Sequence, residues 1–472
     1  MIAIIEKVYQ FLWGDWIVLP LPGGSSFRLS LLVMILIPAG IWFTIRTRFL
    51  PIRLFPDMLH TLFEKKRKAE GESHNSTLSA LQTLIVSTAT RVGMGNLVGV
   101  VAAISAGGAG AVFWMWVTAL IGSSTAFVEA TLAQIYKEKD PVYGGYRGGP
   151  AYYMHRFIQE KRGGKKKRYV GISVLFAISG LICWCGISQV ISNSVTSAFH
   201  NAFHIPPIYT TVVLVALAAV INFRKTATVK VLDVLVPVMA GCYFLITVIL
   251  ICMNFSALPG VFSRIFEEAF GIRQAVAGGL GTVVMNGVKR GLFSNEAGSG
   301  SAPCAAATAE SDQPVKLGLT QALGVFIDTI VICSCTAMIM LLTPESLTEG
   351  AVGMELLQAA MGYHLGQFGV IFIAATLWLF SFSTFLGILY YARSNISYLF
   401  GDGMLPQNLY KVLALVMMFI GGLAAYTVVW DLGDVGVGLM TVFNIIMLYP
   451  MSGIAMKALK SYETEKKNRK KG

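Results

Sequence analysis

Charge is scarce in this chain. Of its 472 residues only 13% are Asp, Glu, Lys or Arg, while 55% are hydrophobic. Soluble domains carry about 25% charged residues, and roughly half of that is too little to cover a water-facing surface. This excludes the three soluble domains that the length alone would suggest at roughly 150 residues each. A cytosolic enzyme, a disordered scaffold and a nucleic-acid binder go with them. Histidine is also rare. The six (His60, His74, His155, His200, His204, His364) fall in expected loops or helix ends, and no HExxH or GxSxG is present. A metal hydrolase and an intramembrane enzyme both need such clusters or nucleophile–base pairs. A channel would need a continuous polar stripe along its spans, and none is present. The seven cysteines lie almost wholly in apolar runs, and the pairs Cys183/Cys185 and Cys333/Cys335 are spaced i, i+2. That spacing puts partners on different helix faces, so they read as small packing residues.

What the chain has in quantity is long apolar runs. Eleven can cross a hydrocarbon core of about 30 Å: about 29–47, 77–106, 110–135, 169–198, 209–222, 231–254, 275–303, 319–342, 367–391, 410–428 and 433–456. Residues 1–22 mix apolar residues with Glu6, Lys7 and Asp15 and read as an interfacial or partly embedded segment. With the N-terminus outside, 30 of the 37 Lys and Arg fall in the inner loops and tail and 4 in the outer ones. Basic residues stay on the cytoplasmic side, which predicts N-terminus out and C-terminus in. The net charge of +12 then reports topology and needs no polyanionic partner. The runs at 165–168 and 466–471 could also touch anionic lipid.

Two spans are anomalous. Residues 77–106 would make a straight helix of about 45 Å, yet TATRVGMGNLVG (88–99) interrupts them with glycines, an Asn and an Arg. Residues 275–303 carry RGLFSNEAGSGSAP (290–303) in the same way. Small residues also serve close helix packing. Packing gives no reason for Asn96, Asn295 and Glu296, because a mid-membrane charge costs several kcal/mol and irregular backbone survives at that depth only around a cavity or buried in protein. After the first span, the two broken spans are the first and sixth of ten and run in opposite senses. Five spans followed by five inverted ones, each half opening on a broken helix, is the pattern of secondary transporters. Half-helix N-termini offer N–H groups to an anion, and unwound carbonyls hold a cation.

At this point specific segments matter. ATRVGMGNLVGV, GAVFWMWVTALIG, GGPAYYM, RGLFSNEAGSGSAP, GVFIDTIVICSCTA, SFSTFLGILYYAR and WFTIRTRFLPIRLFP (42–56) resemble the alanine or glycine:cation symporter family, the sodium:alanine symporters, in order over roughly residues 30 to 400. The resemblance implies an all-α polytopic membrane protein with 11 transmembrane helices. The fold would be the LeuT-type 5+5 inverted repeat of the amino acid–polyamine–cation superfamily, with one extra N-terminal helix. The expected division is 1–76 (interfacial segment, extra helix, basic loop), 77–254 and 275–456 (the two repeats) and 457–472 (basic tail). By the same resemblance, Gly93, Met94, Gly95 and Asn96 (GMGN) would hold the substrate carboxylate. Carbonyls of Ala89 and Val92 with hydroxyls of Ser383 and Thr384 would bind Na+, a hard cation suited to oxygen ligands. Helix hydroxyls such as Ser381, Ser383 and Thr384 also commonly bond back to their own i−4 carbonyls.

Other residues follow from position. CGISQVISNSV (185–195) departs from the family's usual Gly-Asn start. There Gln189 and Asn193, at i and i+4, share a face and either line the site or bind helix to helix. Ser294 and Asn295 could face the substrate's ammonium, and Trp378 and Phe382 are either a lid or lipid-facing aromatics. The intramembrane charges Arg91, Lys289, Arg290, Glu129, Glu296 and Asp328 suggest a paired network, with Glu296 or Glu129 expected on Arg91 or Arg290. A proton-carrying or gating role for Glu296 or Asp328 is the sharper alternative. The expected protein is a non-enzymatic Na+-coupled symporter of alanine or glycine in the plasma membrane. Its partners would be the amino acid, Na+ and the bilayer, with no cofactor and no nucleic acid. H+ coupling, or a substrate such as glutamine or serine, is the variant.

Overall fold

The structure is a computed structural model and describes residues 2–20, 26–63, 93–142, 144–164, 168–223, 227–272, 279–309, 311, 313–347 and 351–469. It is built of helices, with two short antiparallel hairpins, β1 (Ile17–Pro20) with β2 (Ser26–Leu29) and β3 (Glu138–Lys139) with β4 (Tyr146–Arg147). Among the described residues, seven helices are long and apolar enough to cross a membrane, and three shorter apolar ones accompany them.

The N-terminal helix α1 (Ile2–Trp13) has one buried edge at Leu12 and Trp13 and is otherwise largely exposed. The hairpin that follows it is not signalled by the sequence pattern. Helix α2 (Leu31–Arg46) starts where Ser30 accepts a bond from the Val33 N–H, a standard N-cap. It ends just before two residues with left-handed backbone, Arg48 and Phe49. The short α3 (Leu50–Arg53) and α4 (Phe55–Phe63) follow.

After a π-helical turn at Gly95–Gly99 come α5 (Val100–Gly107) and α6 (Gly110–Ile135). The basic loop folds into an amphipathic helix α7 (Pro150–Lys161), opened by Pro at its first position. Then come α8 (Gly171–Phe203), α9 (Pro207–Phe223), α10 (Ala227–Met253) and the amphipathic α11 (Leu258–Ala269).

The second half opens with α12 (Gly279–Asn295), an irregular stretch, and α13 (Ala302–Ala306). One continuous span is α14 (Pro314–Val325), a π-helical stretch at Phe326–Cys333 and α15 (Ser334–Leu341). Helix α16 (Met354–Phe400) is bent at Gly366, whose combination of φ 60° and ψ −151° only glycine adopts without strain. It is followed by α17 (Met404–Leu423) and α18 (Tyr426–Arg469), whose 44 residues overrun the roughly 20 that a bilayer requires.

Packing radiates from α8, which lies along α16, α17 and α18, while α6 lies along α12 and α14. The largest fully buried side chains, among them Phe127, Phe176, Trp184, Tyr243, Phe380 and Tyr391, fill the space between these helices. The broken segments therefore sit inside the bundle, where irregular backbone finds protein partners.

Candidate functional site

The two breaks touch. A Cβ added to Gly95 would lie 3.2 Å from the Ser294 Cα, and one added to Gly93 would lie 2.3 Å from Thr384 Oγ1. A side chain at Gly93 would collide with that hydroxyl, and one at Gly95 would need the Ser294 backbone to give by a few tenths of an ångström. In the first break Gly93 N–H donates to Asn96 Oδ1 (2.9 Å) and Met94 N–H donates to Thr384 Oγ1 (3.1 Å). Neutral side-chain oxygens thus cap the N–H groups that open this helix.

The other half of the Asn96 carboxamide points into a nest of acceptors. Its Nδ2 lies 2.8 Å from Asp328 Oδ1, 3.1 Å from the Asp328 carbonyl, 3.3 Å from Ser294 Oγ and 3.3 Å from Cys333 Sγ. Asp328 Oδ2 also accepts from Ser294 Oγ (2.8 Å) and Thr329 Oγ1 (2.9 Å). Thr336 donates to the Asn96 carbonyl at 2.8 Å. Asn96 and Asp328 are fully buried. A carboxylate at this depth is costly, and three neutral donors meet it. Oxygens from two elements, Ser294 of α12 and Asp328 of the π-helical stretch, converge there on the amide nitrogen that the first break supplies.

Of the expected site residues, Gly93, Met94, Gly95, Asn96, Ser294 and Thr384 come together here. Ser383 is buried on the same helix as Thr384. Ala89, Val92 and Arg91 lie outside the described residues. Asn295 turns its Oδ1 onto the Ala297 N–H (3.0 Å) and so shapes the second break instead of joining the cluster. Gln189 and Asn193 do share a face, but that face meets α17: Gln189 Nε2 reaches Met417 Sδ (3.4 Å), and Asn193 Nδ2 donates to the carbonyls of Gly421 (3.1 Å) and Ala424 (2.7 Å). Periodicity reports a shared face without saying which neighbour it meets. Trp378 and Phe382 pack on each other, and Trp378 on Phe199 of α8, 4.9 Å between centroids.

Cys333, Thr329 and Thr336 were not expected in the site. Cys333 was read as packing, and it is buried, yet its sulfur belongs to the polar cluster. The signal was hidden because a π-helix brings i and i+5 onto one face, and Asp328 and Cys333 are five apart.

For Arg290 the expected pairing needs correction, while the alternative on Arg91 lies outside the described residues. Arg290 forms a two-pronged ion pair with Asp434 (2.9 and 3.0 Å), and Lys289 joins the same carboxylate at 3.0 Å. Glu296 and Glu129 are not its partners. Asp434 stands outside the expected network, although in DLGDVGVG (431–438) an acid amid glycines in the last span is a visible signal. Glu129 instead accepts from the Gly298 N–H (3.0 Å) and from Asn444 Nδ2. The protein itself thus supplies the anion for the second break. Glu296 holds left-handed backbone (φ 57°) at the start of that break. Positive φ at a non-glycine residue costs of order 1 kcal/mol and marks a stretch held by its surroundings.

Long apolar helices around interrupted ones, with a buried polar nest where the interruptions meet, define a multi-pass membrane transporter. The match to the sodium:alanine symporter family covers residues 23–472, and the chain belongs to that family of cation-coupled amino-acid carriers. It is 41% identical over 447 residues to the amino-acid carrier protein AlsT of Bacillus subtilis, covering 94% of this chain and 91% of that one. It is 42% identical over 442 residues to the probable sodium/glutamine symporter GlnT of the same organism, covering 93% and 89%. The sodium/alanine symporter AgcS of Methanococcus maripaludis is 32% identical over 474 residues, covering 100% and 99%. Among solved structures, a manganese transporter of Eremococcus coleocola in complex with an aromatic bis-isothiourea compound superposes with a TM-score of 0.50 at 11% identity, over 82% of this chain and 81% of that one. That likeness is one of fold alone.

Proposed function

We propose that this protein carries small neutral amino acids, alanine or glycine, together with Na+ by alternating access. In this reading eleven spans form a LeuT-type 5+5 inverted repeat (77–254 and 275–456) after one extra N-terminal helix, with the N-terminus outside. The observation that carries the reading is the meeting of the two breaks at Gly95 and Ser294, with Asn96 between capped N–H groups and the Asp328 carboxylate. The names of the relatives AgcS and GlnT, with alanine and glutamine as substrates, support an amino acid and a sodium ion and leave alanine and glutamine as the two main readings.

The chemistry follows from exchange of partners. Asn96 Oδ1 and Thr384 Oγ1 are neutral acceptors on the Gly93 and Met94 N–H groups. A substrate carboxylate is a stronger acceptor for the same donors, since charge-assisted bonds are about twice as strong. When it takes their place, both oxygens are released. Thr384 Oγ1 can then turn to a cation beside Ser383, and Asn96 can turn its oxygen toward Asp328, whose negative charge a cation neutralises. Each ligand thereby builds part of the other's site, which is the physical content of coupling. A pocket walled by glycine backbone is small, which favours alanine and glycine over glutamine.

Protein reconstituted in liposomes should accumulate labelled alanine only under an inward Na+ gradient. Uptake of none of alanine, glycine, serine and glutamine under any cation gradient would overturn the reading, and replacing Na+ by a proton gradient separates the two couplings.

A further inference from the structure

The Asp434 ion-pair node carries a second layer that the transport reading does not use. Its two sides belong to different helices: Lys289 and Arg290 to α12, just before the second break, and Asp434 to α18. Arg290 also lies 3.8 Å above the ring of Trp430. In the alternating access proposed above, opening on the side that carries α1 would part these helices.

Helix α1 touches both. Its seam is Tyr9, Leu12 and Trp13, at i, i+3 and i+4 on one face. The Tyr9 hydroxyl accepts from Lys289 Nζ at 2.8 Å, on the α12 side. The Trp13 indole N–H donates to the Asp434 carbonyl at 3.0 Å, on the α18 side. The Lys289 ammonium lies 5.0 Å from the Tyr9 ring and 5.7 Å from the Trp13 ring, within cation–π range. One turn on from Asp434, Gly438 makes the seat. A Cβ there would come within 3.0 Å of Leu12 and 3.3 Å of the Trp13 indole nitrogen. The opposite face of α1 is largely exposed: Ile4 is 68% and Phe11 53% exposed. Helix α1 also precedes residue 23, where the family match begins.

We infer that α1 is a strap across the α12–α18 closure, with Tyr9 and Trp13 as positioning residues that hold Lys289 and Asp434 together and so favour the outward-closed form. The strap rests on the transporter reading above for what the closure does. A helix attached along one seam is a weak element, so its release biases the equilibrium without removing the ion pairs.

The test uses full-length protein in lipid nanodiscs and the double variant Tyr9→Phe/Trp13→Phe, which removes the two polar contacts and keeps the aromatic bulk. Ile4→Ala, on the exposed face, is the control. Amide hydrogen exchange in peptides covering 283–295 and 429–441 should quicken by about threefold or more in the double variant and stay unchanged in the control. In liposomes, the external alanine concentration for half-maximal uptake should fall about threefold, because the outward-open fraction no longer limits apparent affinity. Unchanged exchange at both segments overturns the strap. So does a lower maximal rate at unchanged half-saturation, which is what a merely structural role would produce. If the parent protein moves no amino acid, the transport reading fails and the exchange measurement alone decides the strap.

Discussion

The bundle buries two aspartates in opposite ways. Asp328 is met by the amide of Asn96 and the hydroxyls of Ser294 and Thr329. Asp434 is met by a guanidinium and an ammonium. Hydroxyl and amide groups can re-aim at small cost. A site built of them is ready to exchange partners for a cation. Two cations on one carboxylate cancel its charge, and separating them is expensive at low dielectric. The first arrangement suits binding and the second suits holding.

The hardest way to break this comparison is at the holding site. Asp434→Asn leaves Lys289 and Arg290 buried together, and should cost about 3–5 kcal/mol of stability, read as a large drop in the thermal unfolding midpoint of the purified protein. A midpoint near the parent's would show that the cations find other partners.

Next comes the binding site. Asp328→Asn keeps the shape, turns one of the two acceptor oxygens into a donor and removes the charge. Coupling between cation and amino acid should fall by about 5–150-fold, seen as alanine binding that no longer strengthens with Na+. Undiminished Na+ dependence would take Asp328 out of the ion's surroundings. Asn96→Ala should abolish or strongly reduce uptake while the protein stays folded by circular dichroism. Near-normal uptake would remove Asn96 from the site.

Smaller effects sharpen the boundary. Thr384→Ala loses one oxygen and should raise the Na+ concentration for half-maximal uptake by about three- to tenfold, in line with about 1 kcal/mol for one hydrogen-bonding group. Asn193→Ala loses two bonds to α17 and should lower stability by about 1–3 kcal/mol while leaving half-saturation for alanine where it was. A shifted half-saturation would bring Asn193 back toward the substrate.

Much of this contrast was legible beforehand. Apolar length located the helices, because lipid demands about 20 residues per crossing and a self-satisfied backbone. The interruptions at Asn96 and at Ser294–Asn295 stood out because polar residues in such runs are costly. Asp328 stood out for the same reason, but its neighbours did not, since the π-helical stretch replaces the 3.6-residue period with a longer one. Arg290 was visible as a buried cation. Its partner lay 144 residues away, and charge balance narrows such a choice without making it. The i, i+4 pair Gln189 and Asn193 shows the limit from the other side, since its face was correct and the neighbouring helix could not be read.

The residues by themselves determined that this chain lives in lipid, where its helices run, which of them must break, and to which family it is similar. Those properties depend on local composition and period, which a one-dimensional string carries. Only the tertiary structure decided that Asn96 sits against Asp328, that Asp434 takes both cations, and that α1 closes over them. Such pairings depend on which helix faces which at a few ångströms. The free energy that selects them comes from packing the whole bundle at once.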